Sequence, residues 1–358
     1  MHMTSKKLIL VIGATGAQGL AVIDALLETS QDGSPSPYSV RALTRDPNNA
    51  RALQLAGKGV EVVKGAFDEF SSVLAAMQGV YGAWVNTDGF TVGEQKELYC
   101  GMRIFEIAKQ LGTVRHYVWS NLDYSLKKGE YNPDYHCGHY DGKGRVAEWM
   151  KAQPSIVSDS DMSWSVVTTG PYMNMLNIHM FGPLNIRPDG THVFATPIQK
   201  GHVPMISLPD LGWWARYTFD NRAATSTKDL EVASDWVDWE YLSRTFTKVT
   251  RKKAVVVNQT LDEWFANFAH SDGPVARDFA YGDGSVTWRE NFSSFWRQWR
   301  DDVIKRDMDW IRSVHPTGHT LESWMRETGY TGDQLDRSLL KNAEETGLGI
   351  KVEVTKNL

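Results

Sequence analysis

Leu8-Ile-Leu-Val-Ile12, then Gly13-Ala-Thr-Gly16-Ala-Gln-Gly19, then residues 20–28 with apolar side chains at 20, 22, 23, 26 and 27, form one uninterrupted stretch near the start of the chain. The first segment reads as a buried strand, the second as a glycine turn and the third as an amphipathic helix. Gly13, Gly16 and Gly19 stand in the spacing GxxGxxG. Without side chains they permit a tight turn, let backbone approach a pyrophosphate and let helix and strand pack closely, while the helix N-terminus offers unpaired N–H groups and positive potential. Glycine spacing alone is a weak signal, and the strand before and helix after supply the context it needs. Thr15 and Gln18 lie in the same loop and are counted with it as dinucleotide contacts.

Working outward, a Ser-, Pro- and Gly-rich loop at 30–37 precedes a second strand at 38–44, and apolar segments recur at 60–63, 80–85, 116–119 and 164–168 with helical spacing between them, as in Leu98, Met102, Phe105 and Ala108. Such alternation predicts an α/β fold: a Rossmann-type doubly wound parallel sheet, with a smaller, mainly helical C-terminal substrate or lid region. Ligands of such a sheet bind outside the carboxyl ends of its strands. Past Gly170 the alternation weakens. Residues 171–204 hold five prolines and read as irregular structure, and helical patterns return at 209–220, 238–247 and 261–269. The plainest helix of the chain keeps Trp288, Phe292, Phe295, Trp296, Trp299 and Val303 on one face, with Thr287 and Glu290 spaced for a capping box. Eight of the fourteen tryptophans follow residue 230, which makes this part either ordinary aromatic core or a lid over a substrate. The expected organisation is a dinucleotide domain over 1–170, a substrate-side region interleaved with it over 171–270, and an aromatic helical extension over 271–358 packed on the main domain.

Composition narrows the classes. The chain has 358 residues, 42% apolar and 23% charged, a balance able to bury a substantial core. A net charge of -5 gives no footprint for direct nucleic-acid binding. Cys100 and Cys137 are the only cysteines, too few for a disulfide framework, and the polar start through Lys7 lacks a secretory signal. The longest apolar run near the start, residues 8–12, is far short of the roughly 20 a membrane helix needs. The cytosol is the expected compartment, with nuclear entry left open. On those grounds the sequons at Asn258 and Asn291 are read as chance matches. No metal site is expected.

Cofactor choice is read at the end of the second strand, where an acid would accept the ribose 2′-OH and repel a 2′-phosphate. Thr44-Arg45 stands there instead, and a guanidinium pairs with phosphate oxygens and stacks on adenine. Asp46 follows and offers the competing reading, reaching the 2′-OH if Arg45 points to solvent. The expectation is NADP(H). After the third strand, Phe67 and Asp68 are placed to meet adenine; after the fourth, Asn86 and Thr87 face the nicotinamide half. Asp68 also reads as a helix cap. His139-Tyr140-Asp141-Gly142-Lys143 then enters a helix. In a short-chain dehydrogenase a tyrosine four residues before the lysine protonates the carbonyl, and the lysine holds the nicotinamide ribose and lowers the tyrosine pKa. Position 139 is histidine here. The candidates for proton chemistry are therefore Lys143, Tyr140, His139 and, after the fifth strand, Tyr124.

The segments GATGAQG (13–19), TRDP (44–47), GAFDE (65–69), HYVWSNLDY (116–124), HYDGKGRVAEW (139–149) and GPYMN (170–174) occur in order over about residues 6–270, and together they resemble the NmrA-like family. The resemblance implies an atypical short-chain dehydrogenase fold that prefers NADP(H). It matches Arg45 to the family's 2′-phosphate arginine and Lys143 to its ribose-facing lysine. It puts Asn86 and Thr87 at the nicotinamide-side strand end, and Pro171, Tyr172 and Asn174 in the segment after the sixth strand. Some members are redox-sensing regulators, and related members reduce small phenolic substrates. Two functions follow as alternatives: hydride transfer between NADPH and a carbonyl or conjugated alkene of an apolar, aromatic small molecule, or a non-catalytic NADP(H) sensor that binds a regulatory protein partner. The retained lysine and the aromatic extension favour the enzyme.

Overall fold

A computed structural model describes residues 6–30, 32–333 and 349–358. By compactness the chain divides into two interleaved units rather than along linear boundaries at 170 and 270. One comprises the described residues of 6–122, 142–168 and 211–231, the other those of 123–141, 169–210 and 232–358.

The first unit is built on β1 (Lys7–Ile12), β2 (Tyr38–Thr44), β3 (Glu61–Lys64), β4 (Gly82–Val85), β5 (His116–Leu122) and β6 (Ser163–Thr169), with α1 (Ala17–Leu27), α2 (Ala50–Gly57), α3 (Phe70–Met77), α4 (Gly89–Val92) and α5 (Glu94–Leu111) between them. A further short strand, Asp229–Glu231, pairs parallel with β6 and completes a seven-stranded sheet; from it the order runs β6, β5, β4, β1, β2, β3. Because β1 has β2 on one side and β4 on the other, both in parallel register, the chain winds outward in both directions from β1. This reversal opens a crevice at the carboxyl ends of β1 and β4, the place where doubly wound sheets take ligands. The central strands are buried on both faces, which explains their unbroken apolar runs. Leu10, Ile12, Val85, Ile104, Phe105, Tyr117 and Trp119 belong to one core cluster.

The second unit begins where β5 ends, with α6 (Ser125–Lys128), and takes in the first residues of α7 (Gly138–Lys151). The proline-rich segment 171–204, expected as irregular, contains a single-turn 3-10 helix at Met173–Asn177 and the strands Asn185–Ile186 and His192–Thr196, and another strand, Val203–Met205, closes it. Pro204 lies within the last of these, in a two-stranded ribbon against Asp235–Val237, where the ladder lacks a neighbour on one side and a missing N–H is tolerated. The helix Trp288–Arg300 forms with the expected capping box. Its apolar face is core: Trp296 meets Trp264 at 4.8 Å between ring centroids, and Phe295 stacks on Phe181 at 6.2 Å. The aromatic mass of the extension is thus packing within this unit, and Gly201 must be glycine because a Cβ there would lie 2.0 Å from the Trp299 carbonyl oxygen. Asn291, the second sequon, is buried on that helix.

Two buried charge clusters tie the extension in. Arg306 makes a bidentate pair with Asp123 at 3.0 and 2.7 Å, both side chains without solvent exposure, and also donates to the Thr169 carbonyl at 3.2 Å. Asp210 accepts from Ser234, from the His319 backbone N–H at 2.9 Å and from the rings of His315 at 3.2 Å and His319 at 3.0 Å. His319 reaches Glu327 with its other nitrogen at 2.8 Å. Among the described residues no helix is long and apolar enough to cross a membrane.

The bond to Asp210, and then that to Glu327, raises His319 from 6.5 to about 9 against its partial burial, and bonds from His315, His319 and Ser234 hold Asp210 below its ordinary value although burial opposes this. A histidine raised on folding contributes stability fully below its unfolded pKa and loses it as pH rises through the folded one. Urea unfolding is therefore expected to show stability declining between pH 6.5 and about 9, and His319→Gln should flatten that decline. A wild-type profile already flat over this interval would count against the cluster.

Candidate functional site

The glycine loop lies where β1 meets the β4 end. Gly13 has φ +82°, a conformation that favours glycine, and a Cβ there would come within 2.8 Å of the Asn86 carbonyl oxygen. Gly19 is packed more tightly still, with the Gly13 oxygen 2.2 Å from where its Cβ would be. α1 starts at an N-cap, Gly16, that makes no side-chain cap, and has no acid in its first turn. A helix N-terminus at a glycine turn is where a pyrophosphate would be held. Thr15 and Gln18 are both buried: Thr15 receives the Arg51 guanidinium on its carbonyl at 2.9 Å, and Gln18 accepts from Ser120 of β5 at 2.7 Å.

At the end of β2, Arg45 is exposed. Asp46, the competing ribose acceptor, is exposed as well, and its Oδ1 takes the Asn48 N–H at 2.9 Å in the turn into α2. Asp68 does not cap α3, whose N-cap is Glu69; it pairs with Lys96 at 2.8 Å, while Phe67 packs against the core.

The densest polar constellation of the first unit is at the β4 end. The Lys143 ammonium, almost buried, is 2.7 Å from the Thr87 carbonyl, 3.1 Å from Thr87 Oγ1, 3.1 Å from Asn86 Oδ1 and 2.9 Å from Glu97 Oε1. Thr87 Oγ1 in turn donates to Glu97 at 2.7 Å. Glu97 is fully buried on α5, and its second oxygen has no hydrogen-bond partner among the described residues. Gly89 and Gly142 make room for it, since a Cβ at either would stand 2.3 or 3.2 Å from Oε2. Trp119 fixes the α7 backbone here by donating its indole N–H to the Lys143 carbonyl at 3.2 Å. The sequence reading brought Asn86, Thr87 and Lys143 together and missed Glu97 and Arg51. A signal for Glu97 was available: four, seven and eleven residues on come Gly101, Ile104 and Ala108, all buried, so a charge occupies the apolar phase of α5.

The other named residues belong to the second unit. Tyr140 is buried, packed edge-on against Phe295 at 5.9 Å and Trp299 at 5.8 Å. Burial, followed by the negative charge of Asp123, pushes its hydroxyl well above 10, the opposite of the lowering expected of an acid tyrosine. His139 accepts from Asn291 at 2.9 Å and stands 5.3 Å from the Phe292 ring. Tyr124 is half-buried against Tyr131. Pro171 is buried, Tyr172 pairs by a single bridge with Ile206, and Asn174 has a buried Oδ1 with no partner among the described residues. No group of His, Cys, Asp and Glu among the described residues is arranged to hold a metal.

A profile of the NmrA-like family matches residues 5–281. The oxidoreductase malD of Malbranchea aurantiaca, named for its NmrA-like family domain, is 26% identical over 276 residues, 73% of this chain and 77% of that protein. Among solved structures, NmrA, a negative transcriptional regulator, superposes with a TM-score of 0.69 at 18% identity, over 90% of this chain and 95% of that one. The Escherichia coli NADPH-dependent quinone oxidoreductase QOR2, crystallised with NADPH, gives 0.66 at 18% identity, over 90% of this chain and the whole of that one.

The glycine gaps around Glu97 give a direct check on the site. Gly89→Ala drives a methyl into the carboxylate and should cost about 1 to 3 kcal/mol of stability, as overpacking does. Gly142→Ala, with the longer approach, should cost less. Urea unfolding of both variants measures the difference, and equal stabilities would mean that Glu97 is not held where the structure has it.

Proposed function

The chain belongs to the NmrA-like family, and on that premise we propose that it is an NADP(H)-dependent oxidoreductase acting on a carbonyl or conjugated alkene of an apolar, aromatic small molecule. The Lys143 ammonium fixed beside Asn86 and Thr87 at the β4 end carries this reading. The glycine turn before α1 would hold the pyrophosphate of a dinucleotide, and the residues at the β4 end would hold its nicotinamide half. A positive charge waits there for the ribose. Arg45 at the β2 end suits the 2′-phosphate of NADP(H), since its guanidinium pairs with phosphate oxygens. Names among the relatives agree, since malD is called an oxidoreductase and QOR2 reduces quinones with NADPH.

When bound, NADPH would supply the hydride for an acceptor carbon, and reduction of a carbonyl would need one proton besides. The residues of this chain bind and orient: the glycine loop holds the pyrophosphate, Arg45 the 2′-phosphate and Lys143 the ribose. Tyr140 is a poor acid, its hydroxyl raised by burial and then by the charge of Asp123.

The test is NADPH consumption against a panel of quinones and phenolic carbonyl compounds, with dinucleotide binding measured in parallel. Consumption by at least one aromatic acceptor is expected. Bound NADPH that no compound oxidises, together with altered protease sensitivity at residues 86–91 and 124–135, favours the alternative of an NADP(H)-sensing regulator with a protein partner. The phosphate contact has its own check. Arg45→Ala should lose about 1.5 to 3 kcal/mol of NADPH affinity with NADH nearly unaffected, and equal losses for both dinucleotides would count against the assignment.

A further inference from the structure

A carboxylate removed from water is tolerated only with a partner, and Glu97 has one cation, Lys143, at 2.9 Å. The pair is built for. Two glycines clear the space its carboxylate occupies, and Thr87 bridges both partners, donating to Glu97 and lying against the ammonium. An ammonium has three N–H groups and no acceptor. Four oxygens of the protein, those of the Thr87 carbonyl, Thr87 Oγ1, Asn86 Oδ1 and Glu97 Oε1, lie within 3.1 Å of it, so every N–H is already committed.

We propose that Glu97 is a positioning residue for the dinucleotide site: together with Thr87 it binds Lys143 in place, so that Lys143 serves as a fixed positive charge and not as the donor of the reaction's proton. The second half of this rests on the hydride-transfer reading above. Were Lys143 to give up its proton, the amine would be neutral and Glu97 would be left as an uncompensated buried charge, the situation that makes breaking a buried pair costly. A ligand oxygen reaches the ammonium only by taking the place of a protein oxygen. Asn86 Oδ1, on a half-buried side chain 3.1 Å away, is the replaceable one, whereas Glu97 is inaccessible. The charge therefore stays neutralised while the ribose is held, and the proton for the product comes from another group or from solvent.

The experiment is a double-mutant cycle on the full chain, comparing wild type, Glu97→Gln, Lys143→Met and the double variant. NADPH binding is followed by energy transfer from tryptophan, and turnover is measured at saturating NADPH. Glu97→Gln is expected to weaken NADPH binding about tenfold, a difference of about 1.4 kcal/mol. In the Lys143→Met background the same change should have little further effect, because residues acting through one contact are not additive. Turnover at saturation should stay within about tenfold of wild type for both single variants, below the hundredfold or more that loss of a proton donor brings. A fall of a hundredfold or more in Lys143→Met at saturation overturns the proposal, as do binding losses that simply multiply in the double variant. If Lys143→Met does not fold, the double variant, which removes the stranded charge, supplies the turnover reading, and Thr87→Val tests the same linkage with a smaller loss of NADPH affinity. A wild type that binds NADPH but oxidises none overturns the hydride-transfer reading alone, since the binding cycle needs no substrate. A wild type that binds no NADPH overturns both.

Discussion

Each unit of this protein is organised around a charge that has been taken out of water and must be answered within the fold. In the first unit the charge is Glu97, and its answer is Lys143. Most of the unusual local features follow from that pairing. Glycine at 89 and 142 gives the carboxylate volume, Thr87 lends both a carbonyl and a hydroxyl, and the second turn of α7 brings the lysine to the strand ends. Glu97 and Lys143 are the coupled members of this set, because removing one partner of a buried pair leaves the other uncompensated.

In the second unit the same rule holds with different parts. Asp123, immediately after β5, is answered by Arg306 from the C-terminal extension, with Lys128 at 3.2 Å adding a second cation. Burial raises the Asp123 pKa, but Arg306 and Lys128 outweigh it and hold the carboxyl below its ordinary value. The extension thus answers a charge of the fold: without Arg306, an aspartate one residue past a central strand would be buried with only Lys128 as its cation. The aromatic side chains of the Trp288–Arg300 helix then fill the surrounding volume, and Tyr140 is enclosed among them. That enclosure explains why a tyrosine near the lysine of a dehydrogenase-like helix is not an activated phenol. Its hydroxyl is pushed up by the apolar packing that the extension brings.

Much of the dinucleotide side was legible in the residues. The GxxGxxG turn, the basic residue in place of an acid after β2, and the strand ends at 86 and 87 are local signals, each depending on a few adjacent positions. The helices at 208–220, 239–250 and 288–300 matched their periodicity to within three residues at either end, since an apolar stripe and a capping box are also local. Where reading failed, the cause was partners distant in sequence. Glu97 and Lys143 are 46 residues apart and Asp123 and Arg306 are 183 apart, as their numbers give. A charged residue in an apolar phase marks an anomaly but does not say what resolves it. Proline density at 171–204 suggested irregular chain, yet the strands there survive because Pro204 lies in a two-stranded ribbon that has no third strand to satisfy.

By itself, then, the sequence determined the alternation of strands and helices, the parallel sheet, the glycine turn between β1 and α1 and the family resemblance. All of these rest on short-range periodicity and on glycines whose need is set by their neighbours. Tertiary structure decided which charges are partners, which aromatic residues are core, and which stretches of the chain make up each of the two interleaved units. Those outcomes depend on which groups lose their water together, and desolvation is a property of the packed molecule that no stretch of sequence carries alone.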